Sequence, residues 1–514
     1  MLKSLLIRVL RPPVVSRMTL PCAGAALVLL FGAATARGPG YAAAAGRGAG
    51  VPSASRAPDY HVSAALRRAG FAAPAVGADF LPGEVLVGYG AGPTASVAAD
   101  AANRMGARTV LSPSPRAEIL RLTAGVTVAQ AIAKLRRQGG VEYAVPNYIA
   151  REAGSWSPDD PGLTHRPGGW QALQWNFLAG SGVDAPEAWA NMLAVHRAGA
   201  RGVVVAVLDT GVAFRNWKKF RKAPDFEWTH FVDPCDLIAG KLVGGRCTDQ
   251  DALDRNGHGT FITGEIAEST NNGKGLTGLA YGATIMPVRI LDGSGNGDAA
   301  TIARGIRYAV NHGAKVINLS LEFDIGVRAA EIPDIVSAID YAHARRVVVV
   351  AAAGNEGVDQ LAYPAADSNV ISVGATTSER CLADYSDYGP ALDLVAPGGG
   401  DGSTAVSDAA CQTAAIRNLP SIYQQTLLDA PVNWSQFGYP GGMFGTSMSA
   451  AEVSAAAALV IASGVLGPHP SPEQILERLE QTAQPLGGAK PDSDYGYGLL
   501  DAGAATSPSP PAAP

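Results

Sequence analysis

Four residues have the types that acyl transfer requires: Asp209 in "AVLDTGV", His258 in "RNGHGTFITGEIA", Asn355 in "AAAGNEG" and Ser447 in "FGTSMS". A serine hydroxyl is a weak nucleophile and needs a base within hydrogen-bond reach. Imidazole is the usual base, because its pKa lies near working pH. A carboxylate behind the imidazole fixes its tautomer and stabilises the imidazolium. The oxyanion then needs donors, and an amide side chain with a backbone N–H at a helix start supplies two. Singly, each residue has a plainer reading: Asp209 as a turn cap, His258 as an ordinary loop histidine, Ser447 as an N-cap. Jointly, with Gly257 and Gly259 flanking the histidine and small residues following the serine, they read as one site.

Positioning them takes a sheet. Continuous apolar runs at Gly202–Asp209, Ala283–Leu291, Ala314–Leu321 and Arg346–Gly354 alternate with helical patterns at Ala299–Asn311 and Ile335–Ala344. Such runs indicate parallel strands covered on both faces, and sites in such sheets form beyond the carboxyl ends of the strands. Upstream, strand patterns at Glu84–Tyr89, Glu118–Leu122 and Val141–Tyr148 enclose helical patterns at Ala95–Met105 and Val128–Gln138. That β-α-β-α-β order predicts a small split-βαβ unit over 80–150.

The bulk numbers fit a large enzyme. The 514 residues are 47% hydrophobic with formal net charge −5, which argues against a dedicated nucleic-acid binder. Lys3, Arg8, Arg11 and Arg17 precede the apolar "PCAGAALVLLFGAATA", and Ala34-Thr35-Ala36 fits a cleavage site, so residues 1–36 read as an export signal. No later segment approaches the ~20 apolar residues of a membrane span. Residues 37–79 read as a flexible linker, 151–182 as a linker and processing region, and 506–514 as a disordered tail. Cys235, Cys247, Cys381 and Cys411 remain after the signal. An even number in an exported chain suggests disulfides, with three connectivities open. The sequence-local pairs, Cys235 with Cys247 and Cys381 with Cys411, are favoured. No spacing resembles a zinc site.

The order Asp, His, Ser in these surroundings resembles the subtilisin-like serine peptidases. The resemblance covers about 183–505 and rests on "DTG", "NGHGT", "AAAGNEG", "DLVAPG" (Asp393–Gly398), "GTSMS" and "YGYGLLDA" (Tyr495–Ala502), all in order. It implies an α/β three-layer sandwich with a mostly parallel sheet, preceded by a small α+β, ferredoxin-like propeptide domain. It also implies Ser447 as nucleophile, His258 as general base and acid, Asp209 as its orienting carboxylate and Asn355 as oxyanion donor. "NLSLE" matches the strand that pairs with extended substrate, placing Ser320, Leu321 and Glu322 in the groove. "AAAG" places Ala352, Ala353 and Gly354 in one pocket wall. The implied partners are polypeptide substrates and the chain's own propeptide as inhibitor, with a monomer and no membrane or nucleic acid. Export would end in the periplasm or outside the cell.

The pattern has departures. Phe261 stands where most members have a second histidine, and Ala451 and Glu452 replace a Pro and a His after the serine. Glu452 is expected in the first helical turn, and if buried it must be paired, protonated or solvated. Glu322 replaces a usual glycine beside the substrate strand. No metal or cofactor is expected. Calcium is common in the family and "STNNGKG" (Ser269–Gly275) falls near a calcium loop, but Lys218 stands where an acidic partner is expected. A silenced, peptide-binding family member is the alternative reading. An aspartic peptidase is excluded because "DTG" occurs once and two such carboxylates are needed. The intact "NGHGT" argues against a serine peptidase that uses Glu as base.

Overall fold

Valine and isoleucine runs build the central sheet, because β-branched side chains pack well on a pleated surface buried on both faces. The computed structural model describes residues 80–148 apart from 91–101, 104–105, 115 and 124, and residues 156–508 apart from 165, 401, 404–410 and 412–418. The expected signal, the linker over 37–79 and most of the expected helix at 95–105 lie outside the described residues. The chain divides into two units, with the division between 149 and 150.

In the first unit, β1 (Phe80–Tyr89), β2 (Arg108–Ser114), β3 (Ala117–Arg121) and β4 (Val141–Tyr148) form a sheet in the order β2-β3-β1-β4. Neighbours are antiparallel. Helix α1 (Val128–Leu135) carries a capping box in which Thr127 and Gln130 satisfy each other's backbone N–H. It buries Val128, Ala131, Ile132 and Leu135. The order is that of a ferredoxin-like fold, with one correction: β2 adds a hairpin to the expected β-α-β-α-β. Its Val110 and Leu111 are exposed, so β2 lacks the inward alternation that marks a half-buried strand.

The second unit opens with α2 (Ala185–Ala194). Its sheet comprises β5 (Val204–Asp209), β6 (Thr284–Arg289), β7 (Val316–Leu319), β8 (Val348–Ala352), β9 (Ile371–Thr376) and β10 (Leu394–Pro397), in the order β10-β9-β8-β7-β5-β6. Every pairing is parallel, and the two-residue strands His230–Phe231 and Cys235–Asp236 extend the β6 edge. One face is covered by α3 (His258–Ala267) and α6 (Thr446–Ser463), the other by α4 (Ala299–Asn311) and α5 (Pro333–His343). A hairpin of β11 (Thr426–Asp429) and β12 (Asn433–Gly438) precedes α6, and α7 (Pro472–Thr482) and α8 (Ala502–Thr506) close the unit.

Helix α6 is alanine-rich, which favours helix and lets it lie close to β7, β8, β9 and β10. Gly464, at φ 73°, ends it in the left-handed conformation. By length and composition α6 would suffice to cross a membrane, contrary to the expectation that no later segment approaches this, but 78% of it is buried inside the unit.

Residues 156–182 are not a linker. Trp170 and Phe177 are fully buried, and Trp156 and Trp170 pack edge-on against Trp189. Burying Trp170 and Phe177 contributes several kcal/mol, at about 2–3 kcal/mol each. Cys235 is bonded to Cys247, and Cys381 to Cys411.

Candidate active site

The four residues expected to do chemistry meet at the carboxyl edge of β5, β7 and β8. Asp209 is the last residue of β5 and is fully buried. His258 is the first residue of α3, and its Nδ1 lies 2.9 Å from both Asp209 Oδ1 and Oδ2. This approach requires glycine at 259. A Cβ there would stand 2.1 Å from the Gly211 carbonyl oxygen and 3.0 Å from Asp209 Oδ1.

Asp254, a residue the motifs do not mark, holds the turn. Its Oδ1 accepts from Thr210 Oγ1, Asn256 N and Gly257 N, each at 2.9 Å. Its Oδ2 accepts from Thr260 N at 2.9 Å and Thr260 Oγ1 at 2.5 Å. The sequence signal is an Asp two residues before an Asn-Gly pair, the setting of an Asx turn. Burial pushes the pKa of His258 down, but the charge and hydrogen bond of Asp209 and the charge of Asp254 outweigh it and leave the value raised.

Ser447 is the second residue of α6, whose N-cap is Gly445. Its Oγ donates to the Ser320 carbonyl at 3.4 Å, and Ser320 Oγ donates to the Ser447 carbonyl at 2.8 Å. No hydrogen bond joins Ser447 Oγ to His258 among the described residues, and catalytic contacts of this kind commonly tighten only around substrate. Asn355 follows β8, and its Oδ1 accepts from Thr446 N at 3.0 Å. That fixes the amide with Nδ2 free to donate, and Nδ2 donates to Glu322 Oε2 at 3.2 Å. Burial, then repulsion from Glu356 and Asp387, pushes Glu322 up to about 8.

Leu321 packs its side chain into the apolar cluster under α4 and α5. Ala352 and Ala353 are buried, and Gly354 adopts φ 125°.

Glu452 is a correction in place. It lies in the second turn of α6, not the first, and is fully buried. Its Oε1 accepts from Asn176 Nδ2 at 2.8 Å, and the same nitrogen donates to Glu265 Oε2 at 3.1 Å. Burial, then the neighbouring Glu265, pushes the pKa of Glu452 well above its ordinary value.

The loop expected to lack an acidic partner has two. Asp160 accepts from Asn271 N and Asn272 N. Asp225 accepts from Asn272 Nδ2 and Leu276 N. Neither stands at the expected place, where Lys218 falls: Asp225 lies seven residues after it, and Asp160 arrives from 111 residues away. These carboxylate oxygens are occupied by N–H donors, and no metal-binding group of three His, Cys, Asp or Glu occurs among the described residues. No step is assigned to a cation.

Comparison with known proteins gives the family. The subtilase family profile, Peptidase_S8, matches residues 200–498, and the fervidolysin N-terminal prodomain matches residues 68–147. The chain is 31% identical over 421 residues to the thermophilic serine proteinase of Bacillus sp. strain AK1, covering 81% of this chain and 86% of that protein. It is 37% identical to thermitase of Thermoactinomyces vulgaris over 246 residues, covering 47% and 74% respectively. Among solved structures, a protease from Pseudoalteromonas arctica PAMC 21717 superposes with TM-score 0.53 at 28% identity, covering 68% of this chain and 99% of that one. With a prodomain ahead of a parallel-sheet unit that carries the ordered motifs, this chain belongs to the subtilase family of serine endopeptidases.

Proposed function

We propose that the chain is exported, sheds its prodomain, and hydrolyses peptide bonds through Ser447, His258 and Asp209. The observation that carries this reading is the buried Asp209 carboxylate gripping His258 Nδ1 at 2.9 Å with both oxygens, at the same sheet edge as the helix-borne Ser447. An extended peptide lies along Ser320–Glu322. Ser447 Oγ attacks the scissile carbonyl carbon while His258 Nε2 takes its proton. Asn355 Nδ2 and the Ser447 backbone N–H, at the positive end of α6, donate to the oxyanion. The imidazolium then protonates the leaving amine, and the acyl-enzyme forms. Water, deprotonated by His258, releases the acid and restores Ser447. Asp209 keeps the proton on Nδ1 throughout.

Glu452 accepts from Asn176 and not from any of these four residues. The prodomain match and the apolar leader support maturation and export. The test is self-processing. Wild type and Ser447→Ala, both lacking the leader, are followed by intact mass. Loss of the segment from residue 37 to about residue 150 by wild type alone supports the reading. Folded wild type that neither processes nor takes up a fluorophosphonate label refutes it and leaves a silenced peptide binder.

A further inference from the structure

The described residues place three carboxylates around the oxyanion donor and supply no cation to meet them. Glu322 is 8% exposed and accepts from Asn355 Nδ2. It stands two residues after Ser320, which contacts Ser447 through both its hydroxyl and its carbonyl. Asp387 is fully buried behind the wall formed by Gly354: a Cβ on Gly354 would lie 2.0 Å from Asp387 Oδ2. Asp387 Oδ1 accepts from Glu356 N and Val358 N, while its Oδ2 has no hydrogen-bond partner. Glu356 is exposed beside them. Among the described residues, no Lys, Arg or His forms an ion pair with any of the three.

A buried carboxylate without a cation is costly, and a site where such groups converge favours a positive ligand. We propose that Glu322, backed by Asp387, selects peptides with Lys or Arg immediately before the scissile bond. This rests on the peptidase reading given above. The same carboxylate bears on the chemical step. As an anion bonded to Asn355 Nδ2, Glu322 opposes the negative charge that Asn355 must stabilise. A substrate cation paired with Glu322 cancels that opposition as the oxyanion forms. The basic side chain therefore raises kcat as well as lowering KM, because its benefit grows in the transition state.

The experiment uses mature enzyme and fluorogenic peptides identical except for Arg, Lys, Leu, Phe or Glu before the bond. Arg and Lys are expected to exceed Leu by about 10–100-fold in kcat/KM, the worth of a charge-assisted contact, with part of the gain in kcat. Glu322→Gln is expected to shrink that ratio by a similar factor. Enzyme that takes a fluorophosphonate label yet cleaves after Leu or Phe as well as after Arg overturns the proposal and leaves the triad intact. So does a folded Glu322→Gln that keeps the ratio. If Glu322→Gln does not fold, the wild-type profile decides alone. If folded wild type takes no label, the triad reading fails, and calorimetry of Lys and Leu peptides with Ser447→Ala still decides the pocket. Equal affinities would overturn it.

Discussion

Asp254→Asn separates geometry from charge at the histidine. The carboxylate is 1% exposed and accepts five hydrogen bonds, three from backbone N–H groups. The amide keeps the shape but turns an acceptor into a donor on one side. With the new NH2 on the Oδ2 side, it faces Thr260 N and Thr260 Oγ1, so two charge-assisted bonds are lost and two donors are left crowded. Such bonds contribute about 1.5–3 kcal/mol each and do not add fully, so the expected loss is about 3 kcal/mol. This is a large fraction of a typical domain stability of about 5–15 kcal/mol. The charge effect is separate. Asp254 is one of the charges that raise His258, so its loss lowers the histidine pKa. A raised histidine stabilises the fold fully below about 6.5 and loses that contribution as pH rises through its folded value. The variant therefore loses less stability than wild type as pH rises through this window. Denaturant unfolding in a Ser447→Ala background avoids autolysis, and kcat/KM against pH in active enzyme gives the second readout. The expected result is a lower unfolding midpoint together with an acid limb shifted to lower pH. An unchanged midpoint with an unchanged limb would refute the assignment of Asp254 as the residue holding the turn.

Wild-type kcat/KM is expected to rise with pH with a midpoint above 6.5, because His258 must be neutral to act and its pKa is raised; titration with any fixed substrate checks this. Gly259→Ala drives a Cβ against the Gly211 carbonyl and is expected to cost at least 1–3 kcal/mol and most of the activity, both read on one preparation by unfolding and turnover. Between Ile149 and Ser155 the only Lys or Arg is Arg151. If cleavage follows basic residues, self-processing exposes Glu152 as the new N-terminus, and sequencing that terminus decides it. Burial first, then Glu356 and Asp387, holds Glu322 near 8, so the Arg-over-Leu ratio should climb between pH 6 and pH 9. A ratio flat across that range contradicts the assigned carboxylate.

What the sequence shows and what it hides follow from interaction range. The strands β5 to β8 are legible because burial on both faces leaves uninterrupted Val and Ile runs. Helix α4 occupies 299–311 as its pattern predicts, since Asp298 caps it by accepting from Thr301 N. Strand β2 was not legible, because its residues face outward. The stretch 156–182 reads as linker because Trp170 and Phe177 are buried by distant partners without any period of their own. At the site, Asp209, His258, Asn355 and Ser447 stand in local motifs. The bridge through Asn176 joins residues 89 and 276 positions away, and no local pattern records such a pairing.

The same buried carboxyls give the enzyme a pH response unlike that of a surface-charged protein. Burial chiefly, opposed in part by hydrogen bonds, pushes Asp160 up to about 8 and Asp225 up to about 7. Glu265, Glu268 and Glu452 are raised well above the carboxylate range, again by burial first. A carboxyl that binds its proton more tightly when folded contributes stability below its unfolded value, near 4, and loses it as pH climbs through the folded value. Each proton the folded state holds in excess changes stability by about 1.4 kcal/mol per pH unit. Ser447→Ala protein is therefore expected to unfold at a higher denaturant concentration at pH 6 than at pH 9. Adding Glu452→Gln should flatten that slope, since the amide carries no proton to lose and still accepts from Asn176. A midpoint that rises from pH 6 to pH 9 would mean that these groups are ionised and compensated in the folded chain, and would overturn the picture of a neutral carboxyl core beneath the nucleophile helix.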